Sequence, residues 1–560
     1  MRKMTRALIV GLSIALLASA CGGDEDADDT TEDTGEVEDA EDDGDGEAED
    51  DDDGEAAEDD GEQAGALGPY RLGWALAYLS PEYAMADLYT STGGSNYFGY
   101  ANPEFDAALQ AGNAATPEEA DALYQEAEDI LLADLPLIPM WYSIYSTVWT
   151  EKIDNVIVDP STYLRVELLE SEDGEAIVDA CSVQATNLLP GDTREVCGGR
   201  LINQLFSALV EVDAETNEPE LQVASAIDTE DSQVWEVTLN DGWTFHDGSP
   251  VTASSFVDAW NYAANPDNAL RGQGFYSDIE GHADMGGDVT ELAGLEVVDD
   301  LNFTITLTEP FSPFFTKLSD SAFFPMPDSF FENPEGFGDD PIGNGRFQID
   351  TLGLEGDTVM TRYEDWAGEV PASLDQVTYR YYQDIATAYL DVQADALDVL
   401  ANIPPEEIPQ ARELFGDRFS QTPTASFTYL GFPMYNETFG DNLELRQALS
   451  LAVNREEIIE VVLNDGAIPA AGVIPPVLSS YREDATDLTT FDPERAQELF
   501  EEAGGYDGTM TLYFNSGAGH EEWVEAVSNQ WREVLGIEDI EFESLEFAPY
   551  LELLAEGAGL

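Results

Sequence analysis

Three histidines and three cysteines are the whole supply of imidazole and thiol groups in this 560-residue chain. His246, His282 and His520 are widely separated, and none has a neighbour at a spacing that suggests a base, a nucleophile partner or a metal site. A G-x-S-x-G elbow, an H-E-x-x-H helix and a Walker loop do not occur. Carboxylates are the opposite case, with 117 Asp and Glu against 20 Lys and Arg and a formal net charge of −97. Among so many, a pair at glycosidase separation carries no information at the level of sequence. The same imbalance excludes nucleic acid as a partner, because phosphate contacts are made by Lys and Arg. Self-repulsion of this size weakens a compact state unless salt screens it. Adaptation to high salt is the expectation, and a merely acidic exported protein is the plainer alternative.

The cysteines divide by position. Arg2, Lys3 and Arg6 precede an apolar run, 7–18, that is too short to span a bilayer and reads as an export signal. It ends Leu17-Ala-Ser-Ala-Cys21, which resembles the lipobox of bacterial lipoproteins, with Ala18 where Leu is usual. Residues 1–21 are therefore expected to be a lipoprotein signal, with Cys21 lipidated and the protein anchored to the outer face of the cell membrane. The stretch 24–62 has no Lys, Arg or aromatic residue, so the linker 22–66 is expected to be a solvated tether. Cys181 and Cys197 flank the turn-rich Leu189-Pro-Gly-Asp-Thr193. In an exported chain that spacing predicts one disulfide rather than a metal site.

The elements that would position a site show most clearly around 235–260. Trp235, Val237 and Leu239 alternate with polar residues as in a half-buried strand. Asn240-Asp-Gly242 breaks it, Phe245 resumes the apolar face, and Asp247-Gly-Ser-Pro250 turns again. Thr252 then stands as N-cap of a helix carrying Phe256, Val257, Ala259 and Trp260. A second amphipathic helix is expected after Thr116, with Ala120, Leu123, Tyr124, Ala127, Ile130 and Leu131 as its apolar stripe. Leu135-Pro-Leu-Ile-Pro-Met-Trp-Tyr142 reads as a short apolar strand.

These residues also carry a resemblance. The run from Trp235 through Phe245-His-Asp-Gly248 and Pro250-Val-Thr-Ala253 to Ala259-Trp260 resembles the signature of extracytoplasmic solute-binding proteins of the peptide/nickel class, which serve ABC importers. Pro341-Ile-Gly-Asn-Gly-Arg346 resembles that family's glycine turn, with Arg346 in place of Pro. Leu445-Arg-Gln-Ala-Leu-Ser-Leu-Ala-Val-Asn-Arg455 resembles one of its helices. Gly73-Trp74, Asn102-Pro-Glu-Phe-Asp106 and Pro136-Leu-Ile-Pro139 resemble its final third, yet here they come first. The likeness covers about 67–560 in circularly permuted order. A fused gene whose first block docks in cis, or swaps between molecules, is the rival account.

The resemblance implies a two-lobed α/β fold of mixed sheets that closes on a ligand about a hinge. The crossovers would lie near 137–142 and 377–382. One lobe would then be 137–380 and the other 67–136 plus 381–560. It implies a monomeric receptor for a small molecule or oligopeptide, working with ABC permease subunits, with no cofactor and no catalysis. Trp74, Tyr78, Trp141, Tyr142 and Tyr429 would be the ligand-facing aromatics, each equally suited to core packing. Ala77 stands where the family places an acid for a peptide's α-ammonium group, which leaves room for other solutes. A secreted hydrolase, and a sensor or lectin on the same fold, are the alternatives from other classes.

Overall fold

The alternating run at Trp235, Val237 and Leu239 is the strand Val234–Leu239, whose three apolar side chains are buried while Val234 and Glu236 face solvent. It lies inside a four-stranded sheet, between Asn302–Thr306 and Ala224–Thr229, with Leu295–Asp299 at the edge. The second arm of the expected hairpin shrinks to a single bridge, Thr244 with Pro250, because the intervening residues close a tight turn. Phe245 N–H donates to Ser249 O at 2.8 Å, and Ser249 N–H to Asp247 Oδ1 at 2.8 Å. Thr252 caps the helix Ala253–Ala264 through a reciprocal box with Ser255. Trp260, fully buried on that helix, donates its indole N–H to Phe323 O at 3.0 Å.

This computed structural model describes residues 66–181, 187–214, 216–353, 356–517 and 519–560. The expected signal, Cys21 and the tether up to residue 65 lie outside the described residues. Among those described, no helix is long and apolar enough to cross a membrane.

An eleven-stranded mixed sheet runs through the molecule. Its order is Phe347–Thr351, Thr358–Arg362, Gln376–Tyr381, Glu175–Cys181, Val399–Leu400, Leu137–Trp149, Phe419–Gly431, Tyr70–Ala75, Met510–Asn515 and Ile540–Leu545, with Ala467–Pro469 also paired to Leu137–Trp149. The strand starting at Leu137 is far longer than its apolar opening suggests, because its polar second half finds buried partners. Thr147 Oγ1 donates to Ala401 O at 2.8 Å and Asn402 accepts from Ser146 N–H at 3.1 Å. Its long antiparallel partner is Phe419–Gly431, whereas the strand at 376–381 pairs in parallel with Glu175–Cys181 inside the first core, so the expected crossovers near 137–142 and 377–382 do not pair with each other.

The cores follow this division. One is built within 153–401 around Trp260, Phe303, Phe323 and Leu374. A second joins Tyr70, Trp74, Phe98 and Tyr124 to Tyr429, Val473 and Tyr550. A third surrounds Trp141, Trp523 and Trp531, and a small fourth gathers Val148, Tyr389 and Phe415. The first block is thus woven into the last. The helix Pro117–Asp134 buries Ala120, Tyr124, Ala127 and Leu131, and also Glu128, whose carboxylate accepts from Val473 N–H at 2.9 Å and pairs with Arg482 at 2.9 Å. Arg446 donates to Asp134 O and Leu135 O, and Arg455 to Pro139 O, all at 2.6–3.0 Å. Carbonyl acceptors rather than carboxylates hold these two cations, and burial lowers their pKa values to about 10 and about 9.

Candidate cleft

Residues 77–79 follow the strand Tyr70–Ala75 and face the body formed by 153–401. Between them lies a cavity of about 120 Å³, small beside the ~300–1,000 Å³ typical of sites for drug-sized ligands. Tyr78 and Leu79 close one side. Asp159, Tyr163, Glu167, Phe206, Glu211 and Arg346 are prominent on the other.

Local structure fixes each charged group. Asp159 opens a tight turn in which its Oδ1 accepts from Tyr163 N–H at 2.9 Å and its own N–H donates to Tyr163 O at 2.9 Å. The short 3-10 turn Val166–Leu168 turns Glu167 inward, and the strand Val210–Val212, paired to Pro219–Leu221, presents Glu211. Arg165 bridges them: Nε donates to Glu167 Oε1 at 2.6 Å, Nη2 to Glu211 Oε1 at 2.7 Å and Nη1 to Val212 O at 2.8 Å. Arg346 grips Glu211 with both Nη atoms at 3.0 and 2.9 Å, gives Nε to Val370 O, and lies 4.4 Å over the Trp366 ring.

Burial opposes charge on Asp159, Glu167 and Glu82, with different outcomes. It pushes Asp159 up to about 6, because Arg165, 3.9 Å away, compensates only in part. For Glu167 burial is outweighed by Arg165 and Arg346, which hold it below the usual carboxylate range. Glu82, behind Tyr78, is raised by burial to about 7, against the Tyr78 hydrogen bond and Lys317 and with added repulsion from Asp278 and Asp87.

The expected aromatic residues take different places. Tyr78 is in the cavity wall, its hydroxyl donating to Glu82 Oε2 at 2.8 Å and its ring tilted on Tyr83. Lys317, from the opposite side and paired with Asp278 at 2.6 Å, approaches that ring to 5.9 Å. Trp74 is buried beneath the wall, stacked on Tyr83 and donating to Tyr83 O at 3.0 Å. Trp141 packs edge-on against Trp523 in the third core, 4.8 Å between centroids. Tyr142 exchanges hydrogen bonds with the Gly472 backbone. Tyr429 is fully buried between Phe98 and Phe427. Ala77 is in the wall, and a carboxylate is present nearby in Glu82.

Cys197 is buried at the start of the helix Val196–Leu205 and is disulfide-bonded; the side chain of Cys181 lies outside the described residues. His246 contacts the backbone of Gly343 and Gly345 through its two ring nitrogens, each at 3.2 Å, and burial lowers it to about 4. That geometry braces the 341–346 turn. No group of three or more metal-ligating side chains occurs among the described residues.

Sequence reasoning did not single out Asp159, Glu167 or Glu211, which are invisible among 117 acids. Basic residues are scarce enough to be informative, however, and Arg346 already stood out as a departure within its turn.

The profile described as bacterial extracellular solute-binding proteins, family 5 Middle, matches residues 218–558. The glutathione-binding protein GsiB of Salmonella paratyphi A is 26% identical over 344 residues, 61% of this chain and 64% of that protein. The oligopeptide-binding protein OppA of Bacillus subtilis is 24% identical over 391 residues, 66% of this chain and 70% of OppA. The chain thus spans 64% of the length of the first of these relatives. Among solved structures, the ABC transporter substrate-binding protein CtaP of Listeria monocytogenes shares the fold with a TM-score of 0.54 at 21% identity, over 67% of this chain and 74% of that one.

Proposed function

The chain belongs to family 5 of the bacterial extracellular solute-binding proteins, and we propose that it captures a small organic solute between two lobes and delivers it to the permease of an ABC importer. The observation that carries this reading is the cavity whose two sides come from separate cores, one wall from 77–79 and the other from 159–346. Sites of this kind lie where two rigid bodies meet, and closure on the ligand makes the closed complex the species a permease reads. Trp74 and Tyr78 are the expected aromatics that bear on this wall; Trp141, Tyr142 and Tyr429 would support it from the cores. The relatives' names point to glutathione and oligopeptides, so peptides head the set of solutes to be tested.

Four finer features belong to the proposal. The chain is circularly permuted, with lobes divided near the expected bounds 137–380 and 67–136 plus 381–560, the first core running on to Ala401 and Trp141 packing with Trp523 on the other side. Support comes from a first block that lies outside the matched 218–558 yet supplies an interior strand of the large sheet. Cys21 carries a lipid that anchors the protein outside the cell. Cys181 pairs with Cys197. The acidic surface is an adaptation to high salt, and the receptor works as a monomer.

Thermal unfolding of the purified protein in molar potassium chloride, against peptides, oligosaccharides, metal chelates and lipids, tests the main reading. A saturable rise in Tm with one class is expected. No shift with any class overturns it. Replacing Cys21 by Ser should release the protein from the membrane fraction; unchanged membrane association would remove the lipid anchor from the account.

A further inference from the structure

The cavity wall has a spare buried acceptor, and its guanidinium charges are already paired. All three nitrogens of Arg165 and all three of Arg346 already donate to Glu167, Glu211 or backbone carbonyls. Each keeps two further N–H groups on its Nη atoms, but the charge of each is already matched by Glu167 or Glu211. Glu211 is saturated too, receiving both arginines and Gln222. Glu167 is different. It is 2% exposed and part of the wall, and its Oε2 has no hydrogen-bond partner. Asp159 is 8% exposed, and its Oδ2 stands 3.9 Å from Arg165 Nη1, beyond hydrogen-bond reach. Asp320, also in the wall, spends its Oδ1 on Arg194 and Ala322 N–H.

The acidity of the chain as a whole does not account for these groups. A surface carboxylate is solvated by water, whereas an incompletely partnered one that is nine-tenths buried costs free energy until something donates to it. Around the same space stand the rings of Tyr78, Tyr163, Phe206 and Phe324, which suit a cation at their faces. The protein already uses this pairing once nearby: the Lys317 ammonium sits within 6 Å of the rings of Tyr78, Phe275 and Phe311, with Asp278 as its counter-charge.

We propose that the cleft selects a small organic cation bearing N–H donors, an amine or a guanidine, seated against Asp159 and Glu167. The inference rests on the solute-binding reading and narrows it to a chemical class. The N–H donors satisfy Glu167 Oε2 and Asp159 Oδ2, and the positive charge offsets the burial of Asp159. Arg165 positions Glu167, Arg346 holds Glu211 beside it, and neither contacts the solute's charge.

The test compares near-isosteric probes on the purified protein in molar potassium chloride, where unspecific attraction to the acidic surface is screened. Butylguanidine and agmatine carry the cation, butylurea removes the charge, butyrate reverses it, and triglycine is zwitterionic. The two cations should bind saturably by calorimetry and raise Tm, with butylurea and butyrate inert. Asp159→Asn should weaken butylguanidine on the order of tenfold or more. Glu498→Gln, which removes a charge from the surface, should leave that affinity unchanged. Should Asp159→Asn fail to fold, the butylguanidine–butylurea contrast on the unaltered protein decides alone. Equal binding of butylurea, or binding of butyrate or triglycine with both cations inert, overturns the cation assignment while the receptor reading stands. If neither these probes nor the wider solute classes bind, the receptor reading fails and the assignment with it.

Discussion

Tyr550, near the end of the chain, donates its phenolic hydrogen to the backbone carbonyl of Arg71, near the start of the described fold. Tyr550 is fully buried, and Arg71 in turn reaches Asn515 Oδ1 at 3.0 Å. Between these contacts the strand Tyr70–Ala75 is inserted antiparallel to Phe419–Gly431 and parallel to Met510–Asn515. The first block is therefore an interior part of the sheet that carries the cleft wall at 77–79, and its position sets that of Tyr78.

Removing the Tyr550 hydroxyl tests that dependence. Tyr550→Phe keeps the ring and leaves the Arg71 carbonyl without this donor, at a cost of about 1–3 kcal/mol. Urea unfolding should shift as one cooperative transition followed by both tryptophan fluorescence and circular dichroism. A separate early transition for the first block would contradict an integrated sheet.

Asp179 and Arg200 form a buried pair at 2.5 Å, and Asp179 Oδ1 also accepts from Ala401 N–H at 2.8 Å. Three segments meet there: the strand Glu175–Cys181, the helix Val196–Leu205 and the strand ending at Leu400. Asp179→Asn strands a buried guanidinium and should destabilise by about 3–5 kcal/mol, whereas the apolar double replacement Asp179→Leu with Arg200→Met should cost much less. Equal losses for the two variants would show that packing, not charge, dominates at this junction.

Where the sequence was legible, the cause was local. The burial of Trp235, Val237 and Leu239 and the Thr252 cap follow from period and turn chemistry within a few residues. The strand from Leu137 was underestimated because Ser146 and Thr147 are satisfied by Asn402 and Ala401, more than 250 positions away. Glu128 sits within an apolar helix stripe for the same reason, its partners being Val473, Ile474 and Arg482. The cleft was hidden doubly. Its carboxylates match the composition of the whole chain, and Glu211 meets Arg346 only through the fold.

Glu82 gives the cleft a pH signature. Its pKa rises on folding from 4.5 to about 7, chiefly through burial, so between those values the folded state binds more protons than the unfolded one. Its contribution to stability is therefore fully present below about pH 4.5 and is lost as pH rises to about 7, by roughly 3 kcal/mol in all. Glu82→Gln removes this dependence while keeping an acceptor for Tyr78. Measured in molar salt, the variant should be about as stable as the unaltered protein at pH 4 and more stable at pH 8. A constant difference at both pH values would mean that Glu82 titrates normally.

The acidic excess of the composition is carried by the surface. Arg71, Arg200, Lys317, Arg446 and Arg455 are buried, and so are the acids Glu82, Glu128, Asp159, Glu167, Asp179, Asp320 and Asp398, so burial barely relieves the acidic excess. The acids at the surface are left facing one another, and their repulsion reaches about 10 Å at 0.1 M salt but only about 3 Å at 1 M. The unfolded chain, being expanded, carries less of that repulsion, so screening favours the folded state. Tm should rise steadily with potassium chloride through this range. Sucrose, which favours compact states by exclusion without screening charge, separates the causes. If sucrose matches the effect of the salt, charge repulsion is not what limits this fold; if potassium chloride alone restores it, the acidic surface is the reason.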